Sequence, residues 1–348
     1  MRIGVIGCGM VSHAYCGTIA RSPTLELTAL ASRTMISANA RAAQYGGEAM
    51  SVDALLARPD IELVVVLAPP GLHHALGRQV LEAGKHLYLE KPLATSLADA
   101  ADLLALAASA GREIGCAPDT FLGPGCQRAR ALLDIGPYYL TQLVDLLGPI
   151  ADVTASGAMP RTERQARDGS AIPVSVPTSV AGALRFASGA LVSLALSWDV
   201  RVHRRPPIEI YGDAGTLVLP DPNGFEGATL VGDGGEWQAH GPESKPRRIT
   251  PERIAAMVGA LMAGSDPVTG GPVGPETSLR LGDRRGLGVE EMAAAIAAGR
   301  PPRASGALAY HVLEAALALE RACAEGGTVT VASRVERPSF LPVEEAAI

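Results

Sequence analysis

Short apolar runs alternate with segments of helical spacing over the first third of the chain. Arg2 to Ile6 reads as a strand and is followed by a helix through about Ala20. Leu25 to Ala31 is a second strand, and Ile36 to Tyr45 and Val52 to Leu56 have helical patterns. Ile61 to Leu67 is a near-continuous β-branched and leucine run, as expected of a central parallel strand covered on both faces. A helix to about Ala83 and Gly84 leads into the strand His86 to Leu89. Ser96 then caps an alanine- and leucine-rich helix that stops at Gly111, ahead of a strand over Glu113 to Ala117. Repeated strand-helix units of this kind predict a doubly wound parallel sheet.

Beyond this part the period shortens. Ile150 to Ala158 reads as a strand, Arg161 to Gly169 as a polar loop, and Val180 to Phe186 with Ala190 to Trp198 as a hairpin turning at Ala187-Ser188-Gly189. The glycine- and proline-rich region Asp221 to Pro275 is expected to hold loops between short strands. Helices are expected over Val289 to Ala298 and Leu308 to Ala324, and a terminal strand over Thr328 to Ala332. The length of 348 residues suits two domains, at 1–120 and 121–348, each with its own core.

Composition narrows the function classes. With 47% hydrophobic and 19% charged residues the chain is globular, and a net charge of −6 without a basic run argues against a nucleic-acid partner. No apolar stretch reaches the ~18 residues of a membrane span, and the amino terminus enters a strand without a signal-peptide pattern, so no membrane partner and a cytoplasmic location are expected. The five cysteines form no Cys-x-x-Cys pair, and no metal site is expected.

The turn after the first strand, Gly7-Cys8-Gly9-Met10-Val11-Ser12, is a Gly-x-Gly-x-x-Gly pattern with serine in the third glycine position. Gly7 permits the tight turn, Gly9 lets a pyrophosphate approach the backbone, and Met10 and Val11 open the helix whose amino terminus receives it. At the end of the second strand an NAD site usually has Asp or Glu, whereas this chain has Ser32-Arg33-Thr34, which suits a 2′-phosphate and therefore NADP over NAD. The other reading has Ser32 as a helix cap and Arg33 solvated. Pro69, Pro70 and Gly71 stop the third strand at the ligand edge; His73 either adjoins the nicotinamide or ribose or is a local hydrogen-bonding residue.

His86 to Leu89 delivers Glu90-Lys91-Pro92 to the same edge, where open α/β sheets bind ligands. The chain has only three lysines, Lys85, Lys91 and Lys245, so a lysine at that place stands out, and Lys91-Pro92 is a candidate cis peptide. Asp119, just past the fifth strand, is a further substrate-binding candidate. Trp198 either lines a sugar site or packs in the sheet.

Gly4 to Gly9, Pro69-Pro70 with His73, and Ala83-Gly84-Lys85-His86-Leu87-Tyr88-Leu89-Glu90-Lys91-Pro92 together resemble the Gfo/Idh/MocA oxidoreductases, the glucose-fructose oxidoreductase and inositol dehydrogenase family. Ile208-Glu209-Ile210-Tyr211-Gly212 with Gly215-Thr216-Leu217 is similar to a hairpin in that family's second domain. The resemblance implies an amino-terminal Rossmann domain and an α+β carboxyl-terminal domain with an open-faced, mainly antiparallel sheet, often used for oligomer contacts in homodimers or homotetramers. It makes Lys91 catalytic and places Glu90 and Lys91 at the cofactor.

The family's Asp-x-Gly-x-His-x-x-Asp pattern aligns with Asp134-Ile135-Gly136-Pro137-Tyr138-Tyr139-Leu140-Thr141. Asp134 is matched, Tyr138 replaces histidine and Thr141 the second aspartate. Tyr138 can take over proton transfer if a nearby protonated lysine lowers its pKa from about 10, or it can be a stacking surface for a sugar ring. Leu133 runs directly into Asp134 where the family carries strands and a glycine-rich turn. Either those strands are lost, or the sequence lacks residues that the molecule possesses.

The resulting expectation is NAD(P)-dependent hydride transfer on a secondary alcohol or ketone of a sugar, cyclitol or related polyol. Lys91 binds the reacting oxygen, Tyr138 exchanges the proton, Asp134 orients Lys91 or a substrate hydroxyl, and Thr141 and Asp119 contact substrate. The alternatives are nucleotide-dependent elimination or glycoside cleavage without net redox change, and a non-catalytic nucleotide-binding regulator.

Overall fold

The computed structural model describes residues 1–122, 137–165, 170–175, 177–197, 199–200, 206–225, 227–241 and 251–341. Asp134, its junction with Leu133, and Trp198 lie outside the described residues.

The amino-terminal sheet is parallel and six-stranded, in the order β3-β2-β1-β4-β5-β6. Its strands are β1 (Arg2–Ile6), β2 (Glu26–Ala31), β3 (Glu48–Met50), β4 (Leu63–Val66), β5 (His86–Leu89) and β6 (Ile114–Cys116). Interleaved are α1 (Ser12–Arg21), α2 (Met35–Tyr45), α3 (Val52–Ala57), α4 (His73–Glu82) and α5 (Leu97–Ala110). All four residues of β4 are buried, as its unbroken apolar run requires of a strand covered on both faces. The edge strand β3 is not anticipated by the sequence pattern, because three residues carry too little alternation to read.

Helix starts are set locally. The side chains of Thr34, Ser51 and Ser96 accept hydrogen bonds from the N–H groups of Ser37, Ala54 and Asp99, and Gly111 closes α5 in the left-handed region at φ 62°. Thr34, not Ser32, is thus the cap of α2.

Register aligns the carboxyl ends of the strands. Ile6 pairs with Ala31 and Val66, Val66 with Leu89, and Leu89 with Cys116. The segments that follow these residues therefore emerge together on one edge, with the strand order reversing direction between β1 and β4.

After α6 (Pro137–Leu147) comes a four-stranded antiparallel sheet of β7 (Ile150–Ala158), β10 (Ser179–Phe186), β11 (Leu191–Ser197) and β16 (Thr328–Thr330), in the order β11-β10-β7-β16. The long helix α10 (Gly306–Glu325) shares its core: Val153, Leu184, Phe186 and Leu194 pack with Leu308, Val312, Ala315 and Leu319. A second antiparallel sheet is a meander of β12 (Ile208–Gly212), β13 (Gly215–Leu219), β14 (Thr229–Gly232) and β15 (Trp237–His240).

The expected loop at Arg161 to Gly169 contains β8 (Glu163–Gln165), paired with β9 (Ala171–Pro173). The Asp221 to Pro275 region contains α7 (Pro251–Met262) as well as strands; its flanking glycines and prolines mask the helical spacing. Next come α8 (Glu276–Arg280) and α9 (Leu287–Ala297). These late elements return to the parallel sheet: Leu261, Val273, Val289, Met292 and Ala293 share a core with Ile3, Val5, Tyr15 and Leu63. No helix among the described residues is long and apolar enough to cross a membrane.

Candidate active site

The glycine-rich turn has the geometry that a dinucleotide requires. Gly7 sits at φ 110°, and a Cβ there would lie 2.7 Å from the Leu67 backbone, whereas a Cβ on Gly9 would meet nothing within 4 Å. Gly7 is thus fixed against β4 and Gly9 faces open space. The first helical donors of α1 are already used, Ser12 N bonding Gly9 O at 3.3 Å and His13 N bonding Met10 O at 3.3 Å, while the N–H groups of Met10 and Val11 form no hydrogen bond with a described residue. Those two donors, at the positive end of a helix, suit a pyrophosphate.

A brace beneath this turn comes from α2 and is not anticipated by the sequence. Arg41 is buried and donates to the carbonyls of Cys8 (3.3 Å) and Gly9 (3.2 Å), and its guanidinium also touches the ring of His13. His13 Nδ1 lies 2.9 Å from the Tyr45 hydroxyl. Burial, helped by the Arg41 charge, pushes the His13 pKa down to about 3, so the ring is neutral near neutral pH.

Ser32 and Arg33 follow Ala31, whose carbonyl accepts from Gly7 N at 2.8 Å, and so stand beside the glycine-rich turn. Arg33 is exposed and forms no ion pair or hydrogen bond with a described residue. Its guanidinium is left for a ligand or for solvent.

At the end of β5 Glu90 is held in place, its carboxylate accepting from the Tyr15 hydroxyl (3.0 Å) and from Lys91 N (2.9 Å). Lys91 precedes a cis peptide to Pro92, as expected from the sequence. Its side chain forms no ion pair with a described carboxylate, and its Nζ stands 5.7 Å from the ring centroid of Tyr138. A cavity of about 400 Å³ joins these groups: Val11, Leu67, Ala68 and Pro70 make its apolar wall, and Glu90, Lys91, Tyr138 and Arg285 its polar wall.

Other sequence candidates stand behind that surface. His73 is fully buried, with Nδ1 2.7 Å from Pro92 O and Nε2 2.8 Å from Ala68 O. It ties the loop after β4 to the loop after β5, which is the local hydrogen-bonding reading of that residue. Pro69 is exposed and precedes a short turn at Pro70–Leu72. Thr141, one turn after Tyr138 on α6, is buried, and neither it nor Met10 lines the cavity.

Asp119 is buried too. Its Oδ2 accepts from Gly286 N at 2.8 Å and Gly288 N at 3.0 Å, and burial raises its pKa to about 6 against the pull of those two N–H groups. Asp119 therefore holds the turn between α8 and α9, whose side chain Arg285 enters the site.

Arg285 is absent from the sequence candidates. Its Nη2 donates to the Tyr138 hydroxyl (3.1 Å) and to Asn223 Oδ1 (3.3 Å), and its Nη1 to Asp283 Oδ2 (2.8 Å). Burial works against the charge, but the Asp283 carboxylate and the Tyr138 oxygen outweigh it and hold the pKa above the ordinary arginine value. The available signal is the charged turn Asp283-Arg284-Arg285 between Gly282 and Gly286.

Residues 1–117 match the model of an oxidoreductase family with an NAD-binding Rossmann fold, and residues 117–218 match the GFO/IDH/MocA C-terminal domain. The chain belongs to the Gfo/Idh/MocA oxidoreductase family. It is 42% identical over 113 residues to a dTDP-3,4-didehydro-2,6-dideoxy-alpha-D-glucose 3-reductase of Streptomyces violaceoruber, covering 32% of this chain and 33% of that protein. It is 31% identical over 93 residues to an inositol 2-dehydrogenase of Rhizobium meliloti, covering 27% and 28%. The matched part thus spans about a third of the first relative's length. A levoglucosan dehydrogenase solved in complex with NADH and L-sorbose has the same fold, with a TM-score of 0.72 at 19% identity over 96% of this chain and 99% of that one.

As a Gfo/Idh/MocA oxidoreductase the chain keeps the glycine-rich turn and the lysine strand end, and Tyr138 and Arg285 line the cavity beside the lysine. Among the described residues no group of three or more His, Cys, Asp or Glu side chains is arranged to hold a metal ion.

Proposed function

We propose that the protein is an NAD(P)-dependent dehydrogenase or reductase acting on a secondary alcohol or ketone of a sugar, cyclitol or related polyol. The observation that carries this reading is the shared cavity: Lys91 and Tyr138 line it together with Val11 of the glycine-rich turn. The names of the reductase and the inositol dehydrogenase above point to the same CH–OH chemistry.

Bound nicotinamide supplies or takes the hydride. The ammonium of Lys91 binds the reacting oxygen and stabilises its negative charge, a contribution of about 3 kcal/mol by comparison with other oxyanion donors. In the reducing direction hydride adds to the carbonyl carbon, the C=O π pair moves to oxygen, and the Tyr138 hydroxyl delivers the proton, later restored from solvent. Glu90 fixes the strand end through Tyr15 and the Lys91 backbone, and the apolar wall of Leu67, Ala68 and Pro70 limits water at the reacting carbon. Asp134 belongs to the same proposal, as orienting group for Lys91 or a substrate hydroxyl.

NADP is the preferred nucleotide on this reading, because the end of β2 offers a hydroxyl and an unpaired guanidinium, Ser32 and Arg33, in place of a carboxylate. Titrating the protein with NADPH and with NADH, followed by nicotinamide fluorescence, tests both parts. NADPH should bind at least about tenfold more tightly, and Arg33→Ala should remove that preference. Lys91→Ala should abolish turnover on a panel of sugar, cyclitol and polyol ketones while leaving NADPH affinity nearly intact. Equal binding of the two nucleotides would refute the NADP preference, and full turnover by Lys91→Ala would refute the catalytic assignment.

A further inference from the structure

A phenol has one proton to donate and two lone pairs to accept with, whereas a guanidinium can only donate. The contact of Arg285 Nη2 with Tyr138 Oη at 3.1 Å therefore has one polarity: the arginine gives and the tyrosine receives. Lys91, 5.7 Å from the centroid of the same ring, is also a donor without acceptor capacity. Neither cation can take the phenolic proton, and both line the same cavity as the phenol.

The guanidinium is held from several directions. Asn223 Oδ1 and Asp283 Oδ2 fix its plane at 3.3 and 2.8 Å. The backbone is held as well, since the Arg285 carbonyl accepts from Thr18 Oγ1 at 2.9 Å and the N–H groups that follow it, of Gly286 and Gly288, are gripped by Asp119. A surface arginine that happened to reach a tyrosine would lack these anchors.

We infer that Arg285 is a positioning residue of the reaction: it fills an acceptor site of the Tyr138 hydroxyl, so that the phenolic proton points into the cavity at the reacting oxygen. In the reducing direction the proton leaves along the O–H bond so aimed, while Arg285 stays hydrogen-bonded to the oxygen that keeps the electron pair. This inference rests on the role given to Tyr138 in the proposed function.

The polarity dictates how substitutions rank. Lysine also only donates, methionine removes the contact at similar length, and glutamine brings a carbonyl oxygen that can capture the Tyr138 proton and turn it away from the substrate. The experiment compares Arg285→Lys, Arg285→Met, Arg285→Gln, Tyr138→Phe and the double variant Arg285→Gln/Tyr138→Phe with the wild type. It measures NADPH affinity by fluorescence, and kcat and KM on the ketone of the panel that the wild type reduces fastest. The expected order of kcat is Lys, then Met, then Gln, with Gln down about a hundredfold, and with KM and NADPH affinity within about twofold throughout. The double variant should be no slower than Tyr138→Phe alone, because Arg285 acts only through that hydroxyl.

Equal losses for Lys and Gln, or losses that multiply in the double variant, would overturn the inference while leaving the proposed function standing. Wild-type turnover by Tyr138→Phe, or no turnover of any panel member by the wild type, would instead overturn the function reading, and this inference with it.

Discussion

Gly288 has no room for a side chain. A Cβ there would lie 2.3 Å from the Tyr88 hydroxyl and 2.7 Å from Asp119 Cβ, both buried groups. Gly288→Ala must push Asp119 away from the two N–H groups that it grips. The expected result is a loss of about 1–3 kcal/mol of stability from overpacking, read as a lower melting temperature, together with reduced turnover at little-changed nucleotide affinity. The same scale explains which site residues are legible in the sequence. Gly7, Gly9 and Lys91 sit in motifs placed at strand ends by the residues just before them, so a short contiguous stretch marks them. Arg285 acts on Tyr138, 147 positions away, and Arg41 on carbonyls more than 30 positions away; only the fold brings these pairs together. His73 has the motif position of a ligand-edge residue, but its two ring nitrogens are spent on Pro92 and Ala68 carbonyls.

Between α1 and α2 the packing is electrostatic as well as apolar, with His13 and Arg41 facing each other across the interface. The sign of its pH dependence follows from the protons bound. An unfolded chain protonates His13 below about 6.5, whereas the folded one resists protonation down to about 3, so the unfolded chain binds more protons over that window. The stabilisation contributed by neutral His13 is complete above the upper limit and is lost as pH falls towards the lower one. Thermal melting at pH 7 and pH 4 should show a smaller drop for His13→Gln than for the wild type; equal drops would mean that the ring does not couple to folding. Asp119 has the opposite sign: with its folded pKa raised to about 6, the folded chain binds more protons than the unfolded one down to about 3.9, and stability falls as pH rises through that interval. At the level of elements, α5 is legible because helical spacing repeats along its length, and β4 because its apolar run is unbroken. The three-residue strands β3, β8 and β9 are not, since pairing rather than alternation makes them strands.

Helix α1 links the nucleotide turn to the turn that carries Arg285. Its amino terminus faces the nucleotide turn, while its far side carries Thr18, bonded to the Arg285 carbonyl, and Arg21, bonded to Pro275 O. Helix α8 packs along it, and a Cβ on Gly17 would meet Ser278 Oγ at 2.7 Å. Ordering α1 by a bound nucleotide should therefore quiet the 276–288 segment. Hydrogen-deuterium exchange with and without NADPH is expected to show added protection at 7–14 and at 276–288, with the meander β12 to β15 unchanged. Protection confined to 7–14 would mean that the helix does not transmit the binding.

The brace on Arg285 separates what holds the site from what the site does. Thr18, Asp119, Gly286 and Gly288 fix the backbone of that turn and make no use of its side chain for this purpose. For protein engineering this marks out a side chain that can be exchanged without dismantling its support: position 285 can be varied while Tyr138, the lysine strand end and the nucleotide turn stay as they are. Such variants keep the turn that carries them, so a change in rate reports on the side chain alone.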